Sequence, residues 1–227
     1  MNELARRCEE QIISLFQDRE TLVCQGWILK KMGDHLCVYP LYYKYSQGNV
    51  PNNIRKCEEI SYRSGLDCVF RIVEHTNYYL SSILMDNGYV LKDCSVVGEW
   101  DLTENAESLY TSRKTQGSLL LKNGAEGEIA EYIMADADTV IGIKQQELLF
   151  LPDGNLQGVG IEDILQFSVD NGVTRILADI PGNEELPEQY VQAGFHRTYL
   201  YRCYQMKEKH FTEEKASKEQ EEKHFKK

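Results

Sequence analysis

No stretch of these 227 residues is apolar for long enough to span a bilayer, and the first residues lack the pattern of a secretory signal. The chain lacks a cysteine framework too. Its seven cysteines (Cys8, Cys24, Cys37, Cys57, Cys68, Cys94 and Cys203) are scattered, odd in number and never spaced C-x-x-C. Neither a zinc ribbon nor a disulfide scaffold is indicated, and no metal site is expected. Reduced, mostly buried thiols of a cytoplasmic protein are the plain reading. An excess of positive charge is also missing: the net charge is -11, which disfavours nucleic acid and anionic membrane as partners. The tail, residues 207–227, holds seven Lys against six Glu, so the body carries the acidity. An acidic body suits a cationic small substrate. It suits solubility equally well.

What is present is a mixed pattern. Leu4, Cys8, Ile12 and Leu15 recur at helical spacing, predicting an opening amphipathic helix. "LVCQGWILKKMGDHLCVYPLYYKY" reads as two strands joined at Gly33-Asp34, and "NNIRKCEEISYRSG" as a helix ending at Gly65. "LDCVFRIV", "NYYLSSILMDNG" and "VLKDCSVVGEWDL" follow as strand, helix and strand. The second half begins with a predicted hairpin turning at Asn123-Gly124, then "TVIGIKQQELLFL" as one longer apolar strand. A helix from Ile161 to Asn171, the strand "VTRILADI", a short helix in "EELPEQYVQAG" and a final strand "HRTYLYRCYQM" complete it. The fold class is α/β of the α+β kind. The tail is mostly charged; helix and disorder both fit it, and a core does not.

The halves read alike. Asn77 leads through Leu80 and Leu84 to Gly88-Tyr89, and Asn183 leads through Leu186 and Tyr190 to Gly194-Phe195, with the same separation from Asn to Gly. Each is preceded by a helix closed by glycine (Gly65, Gly172) and a strand. This predicts two copies of one α/β unit, divided as 1–104 and 105–206.

The copies differ in one informative place. Before its helix the first has "YSQGNVPNNI", whereas the second has Gly158-Val159-Gly160 at the helix start. A helix N-terminus presents unpaired N–H groups and the positive end of the helix dipole, and glycines there let a pyrophosphate approach. A surface turn is the bland alternative. A P-loop needs Gly-Lys-Ser/Thr where Ile161-Glu162 follow Gly160, and a dinucleotide fingerprint needs glycine where Asp163 stands, so both fail.

"FLPDGNLQGVGIEDIL", "GVTRILADI", "GNEELPEQYVQAGF" and "YLYRCY" together resemble the C-terminal half of the GNAT-superfamily N-acetyltransferases. The first half resembles the degenerate copy of tandem members. The resemblance therefore implies two tandem GNAT-like units, each a mixed sheet flanked by helices. It covers roughly residues 25 to 205. Asn155 departs from the usual Gln or Arg of the loop, Leu186 from Ala and Gln189 from Leu.

The resemblance implies acetyl-CoA as cofactor. Its pantetheine would pair with the backbone of Leu149, Phe150 and Leu151. Its pyrophosphate would sit on the loop of Asn155, Leu156, Gln157, Gly158, Val159 and Gly160, with Asn183 nearby. Tyr190 takes the place of the family's proton donor to the leaving thiolate; a packed aromatic is the other reading of that position. Glu147, on the strand expected to splay, is the carboxylate candidate for the base; a solvated strand Glu is the other reading there. The implied acceptor is an amine on a small molecule or a peptide amino group. Homodimerisation is left open. A non-catalytic acyl-CoA-binding or interaction protein on the same scaffold is the rival, because a fold does not establish an activity.

Overall fold

In the computed structural model the described residues are 3–16, 20–41, 49–74, 78–109, 119–123, 131–136, 138–152, 156 and 158–206. The first half runs α1 (Glu3–Leu15), β1 (Thr21–Cys24), β2 (Trp27–Met32), β3 (His35–Tyr39), α2 (Val50–Arg63), β4 (Asp67–Val73), α3 (Tyr78–Asp86) and β5 (Tyr89–Asp101). The second runs α4 (Leu102–Leu109), β6 (Leu120–Asn123), β7 (Glu131–Met134), β8 (Val140–Gln145), β9 (Leu148–Leu151), α5 (Ile161–Asp170), β10 (Arg175–Pro181), α6 (Glu188–Gln192) and β11 (His196–Met206). The charged tail lies outside the described residues, as do His75 and Asn77.

Among the described residues eleven strands form one sheet, ordered β1-β2-β3-β4-β11-β5-β10-β9-β8-β7-β6. From β1 inward the pairings are antiparallel, antiparallel, parallel, antiparallel; from β7 inward they are the same. The sheet thus reads as a pseudo-dyad through the β5–β11 pair, with β6 added at one edge. Each half contributes its last strand to the other: β11 pairs with β4, and β5 pairs with β10. The two units share one continuous sheet.

Two sequence expectations fail at tight turns. "LVCQGWILKK" holds a hairpin of its own, because Gln25 and Gly26 both take positive φ (53° and 83°) and join β1 to β2. "TVIGIKQQELLFL" is likewise two strands, since Gln146 at φ 53° turns β8 back into β9. Apolar periodicity alone does not show a turn placed inside a run. The β6–β7 register pairs Asn123 with Glu131, so Asn123 ends a strand, and Gly124 of the expected turn lies outside the described residues.

One face of the sheet carries α2 and α3 over the first half and α5 and α6 over the second. Ile54, Cys57, Leu80 and Leu84 pack on Phe70 and Ile72. Ile164, Leu165 and Tyr190 pack on Leu149, Leu151, Ile176 and Ala178. Gly98 makes room here: a Cβ on it would stand 2.7 Å from Leu186 Cδ2. The opposite face is covered by α1, whose Cys8, Ile12 and Leu15 meet Val97, Phe150, Leu177, Tyr199 and Tyr201. Leu4, expected on the inner stripe, is exposed, and Glu9 is buried in that stripe instead. Leu84 sits at the place in α3 that Tyr190 holds in α6, and it is fully buried. Leu84→Ala should cost roughly 2 to 5 kcal/mol in urea unfolding. A loss below about 1 kcal/mol would mean that α3 collapses freely onto the gap.

Candidate functional site

The parallel pair β9–β10 has four rungs, from Leu148↔Arg175 to Leu151↔Ala178. Beyond the last rung β10 continues through Asp179, Ile180 and Pro181 on the β5 side, while β9 ends at Leu151. The ladder ends there, and the gap beyond its last rung is the splay. Leu149 and Phe150 are paired on both sides, with Ile176 and Leu177 of β10 and with Lys144 and Ile143 of β8. The unpaired edge facing β10 therefore begins beyond Leu151, past the expected span of Leu149 to Leu151. Leu149 and Leu151 face α5, and Phe150 faces α1.

The splay is not unique to the second half. The β3–β4 pair also has four rungs, His35↔Asp67 to Val38↔Phe70, and β4 also runs on for three residues. What distinguishes the second half is the start of α5. Gly158 has φ +80°, which glycine adopts without strain. Gly160 is the N-cap, with no side chain capping it. The Val159 amide donates to the Leu156 carbonyl at 2.8 Å, so that N–H is taken by the turn itself. Leu156 and Val159 pack against the α5-side core. Helix geometry leaves the first-turn amides of Ile161 and Glu162 without intrahelical partners. Asn155 and Gln157 lie outside the described residues.

Two acidic residues, Glu162 and Asp163, stand in that first turn. A Cβ on Gly160 would lie 3.1 Å from Asp163 Oδ2, so the carboxylate leans over the cap, and Asp163 Oδ1 is buried with no hydrogen-bond partner. The start of α2 has no acidic residue in its first turn.

Tyr190 is fully buried and makes an edge-on contact with Phe195, ring centroids 5.2 Å apart. Burial pushes its phenol up to about 12. It lies in the same cluster as Leu149, Leu151 and Ala178. Asn183 is exposed, and its amide donates to the Pro181 carbonyl at 2.9 Å, bracing the turn after β10.

Glu147 does not lie on the splayed strand. It is the second residue of the β8–β9 turn, exposed, at the end of β9 away from Leu151. Its carbonyl accepts the Thr174 and Arg175 amides (2.9 and 3.1 Å), and Thr174 Oγ1 donates to its carboxylate at 3.3 Å. Four residues of strand separate it from the splay, roughly 13 Å at about 3.3 Å each. The unforeseen turn at Gln146 put it there.

The sequence reading missed a buried charged network on the α1 face. Asp179 is the first β10 residue past the last rung, and Arg71 is the first β4 residue past its own last rung. Arg71 Nη1 donates to Asp179 Oδ2 at 3.1 Å, and its Nε and Nη2 donate to Glu9 at 2.9 and 2.7 Å. Tyr201 donates to Asp179 at 2.8 Å while its ring lies 3.2 Å from the Arg71 guanidinium carbon, and Tyr199 donates to Glu9 at 2.6 Å. Burial raises the Asp179 pKa, opposed by the Arg71 charge and the Tyr201 hydrogen bond. A second ion pair, Arg175 with Glu99, is tied to α1 through Gln11 at 2.7 Å and Cys8 at 3.3 Å. Among the described residues no group of His, Cys, Asp or Glu is arranged to hold a metal, and no helix is long and apolar enough to cross a membrane.

No protein-family model and no curated protein matches the chain. Among solved structures it is similar to a GCN5-related N-acetyltransferase from Kribbella flavida, at 13% identity over 93% of this chain and 98% of that one, TM-score 0.53. It is also similar to a protein from Pyrococcus horikoshii assigned by name to the acetyltransferases, at 13% identity over 81% and 69% of the two chains, TM-score 0.50. At such identity the likeness is one of fold: the chain has the GNAT fold.

Proposed function

We propose that the protein is an N-acetyltransferase that moves acetyl from acetyl-CoA to an amine, on a small molecule or a peptide amino terminus. Residues 105–206 would hold the cofactor, and residues 1–104 would complete the sheet and shape the acceptor side. The carrying observation is the uncapped glycine start of α5 set beside strands that part after Leu151. A Cβ on Gly158 would meet nothing within 4 Å, so that part of the loop is open to a ligand. The donor set fits a phosphate: bare amides at a helix start, with the Asp163 side chain the one found near the Gly160 cap among the described residues.

When bound, acetyl-CoA supplies an activated acetyl thioester. The amides of Gly158, Gly160 and the first turn of α5 would hold its pyrophosphate against Leu156 and Val159, and the edge beyond Leu151 would receive its pantetheine. Tyr190, on the same face of the sheet, would give a proton to the leaving sulfur; a phenol pushed up to about 12 carries that proton at neutral pH. A cytoplasmic setting accords with seven free cysteines.

One observation favours the non-catalytic binder as a second reading. The Asp163 carboxylate stands 3.1 Å from a Cβ built on Gly160, and a negative charge at that cap would repel a phosphate. Thermal shift tests both. Acetyl-CoA at a hundredfold excess over its dissociation constant should stabilise the fold by about 2.7 kcal/mol. Gly160 has φ -67°, which any residue accepts, so Gly160→Val should remove the shift by obstruction alone. Asp163→Asn should strengthen it severalfold in affinity. No shift with wild type at millimolar acetyl-CoA would dismiss the cofactor assignment. A shift without CoA release to any amine would leave the binder.

A further inference from the structure

The splay has two faces, and the cofactor reading uses one of them. The α5 start and Tyr190 lie on the same side as Leu149 and Leu151. On the other side, one residue beyond the last rung, stands Asp179. Among the described residues, one ion-pair partner faces it. Two carboxylates, Glu9 and Asp179, share the single guanidinium of Arg71, and they share it unequally. Glu9 takes Nε and Nη2 together with the Tyr199 hydroxyl and has no exposed side-chain surface. Asp179 takes only Nη1 and the Tyr201 hydroxyl, and 11% of its side chain is open. The carboxylate with fewer partners among the described residues is therefore the one nearest the splay, and it keeps a small exposed surface. Buried carboxylates with a charge deficit favour a cation as partner.

We propose that Asp179 receives the acceptor's ammonium group at the splay, on the α1 face, and takes a proton from it. This rests on the acetyltransferase reading and replaces Glu147 as the base. The acceptor class is then a primary amine that arrives charged. One proton passes from the ammonium nitrogen to an Asp179 oxygen and on to water. The lone pair so freed bonds to the acetyl carbon, the carbon–sulfur bond breaks, and the proton the nitrogen then sheds balances the one the sulfur takes up. Burial of Asp179 suits the role, since it raises the carboxylate toward the pH at which it must accept a proton. The groups that face it are Arg71 of β4, Tyr201 and Cys203 of β11, Glu9 of α1 and Cys37 of β3.

The test separates amine binding from acetyl-CoA chemistry. Calorimetry without cofactor would measure ethylamine, spermidine and glycinamide against wild type, Asp179→Asn and Tyr201→Phe across pH. At least one amine should bind wild type. Binding should weaken about tenfold or more in Asp179→Asn and lose its pH dependence there. Tyr201→Phe keeps the ring over Arg71 but removes a hydrogen bond to the carboxylate. The acid limb of amine binding should therefore move to higher pH, a shift that a purely structural role would not give. Binding equal in wild type and Asp179→Asn, or absent from wild type, overturns the proposal. If Asp179→Asn does not fold, an unmoved acid limb in Tyr201→Phe overturns it. Asp179-dependent amine binding in a protein that acetyl-CoA does not stabilise would keep the ammonium site and remove the acetyltransferase reading.

Discussion

Arg71→Met should destabilise the protein by roughly 3 to 5 kcal/mol, because it leaves two buried carboxylates without their shared cation. For a chain of this size the melting temperature should fall by about 6 to 20 °C. The methionine keeps an apolar stem but removes the guanidinium that lies over Tyr201, so the loss reports the charge together with that contact. Its pH dependence follows from Asp179. Burial already raises that pKa, and Arg71 holds it down; without Arg71 it rises further. An acid whose folded pKa is raised contributes stability that is full below its unfolded value, about 3.9, and is lost as pH rises through the folded one. The deficit of Arg71→Met should thus be largest at neutral pH and shrink on acidification. Replacing Glu9, Arg71 and Asp179 together by Leu, Met and Leu should recover most of the loss, since an apolar trio leaves no charge unpaired. Urea unfolding at about pH 7 and about pH 5 measures this. A deficit that does not change with pH would assign the loss to packing instead.

The fold was legible where local signals are strong. Gly65, Gly88 and Gly172 all take positive φ just past α2, α3 and α5, as their sequence positions predict. The strands "CVFRIV" and "RILADI" form β4 and β10, in equivalent places about the pseudo-dyad. Two tight turns were hidden, because Gln25 and Gln146 adopt a left-handed conformation that their residue type does not advertise. The second of these misplaced Glu147. The exchange of β5 and β11 was also invisible, since strand order is a long-range property that no local period encodes. The charged network had a signal that went unread. Arg71 and Asp179 each interrupt an apolar strand at its fifth residue, and aligning the two copies puts them in register with opposite charge. Glu9 was concealed by Cys8 and Ile12, whose helical spacing frames it without indicating that it is buried.

Tyr190→Phe should leave acetyl-CoA binding nearly unchanged and lower turnover by roughly a hundredfold or more, the contribution of one positioned acid–base group. The substitution keeps the ring and its edge-on contact with Phe195, so the α6 side of the core stays filled. It removes only the hydroxyl. Because burial pushes that hydroxyl up to about 12, wild type should show no loss of rate attributable to Tyr190 as pH rises from about 6 to about 9. The proton remains in place throughout that range. Full burial makes the experiment decisive in both directions. A phenol that acts must be met by the leaving sulfur through the parted strands beyond Leu151, and its removal slows the step without weakening binding. A phenol that only packs contributes nothing to the rate, and its loss appears as altered stability. CoA release from acetyl-CoA with a saturating primary amine, wild type against Tyr190→Phe, reads the first; urea unfolding of the same two proteins reads the second. Equal rates with altered stability would return Tyr190 to the core, equivalent to Leu84 in the first half.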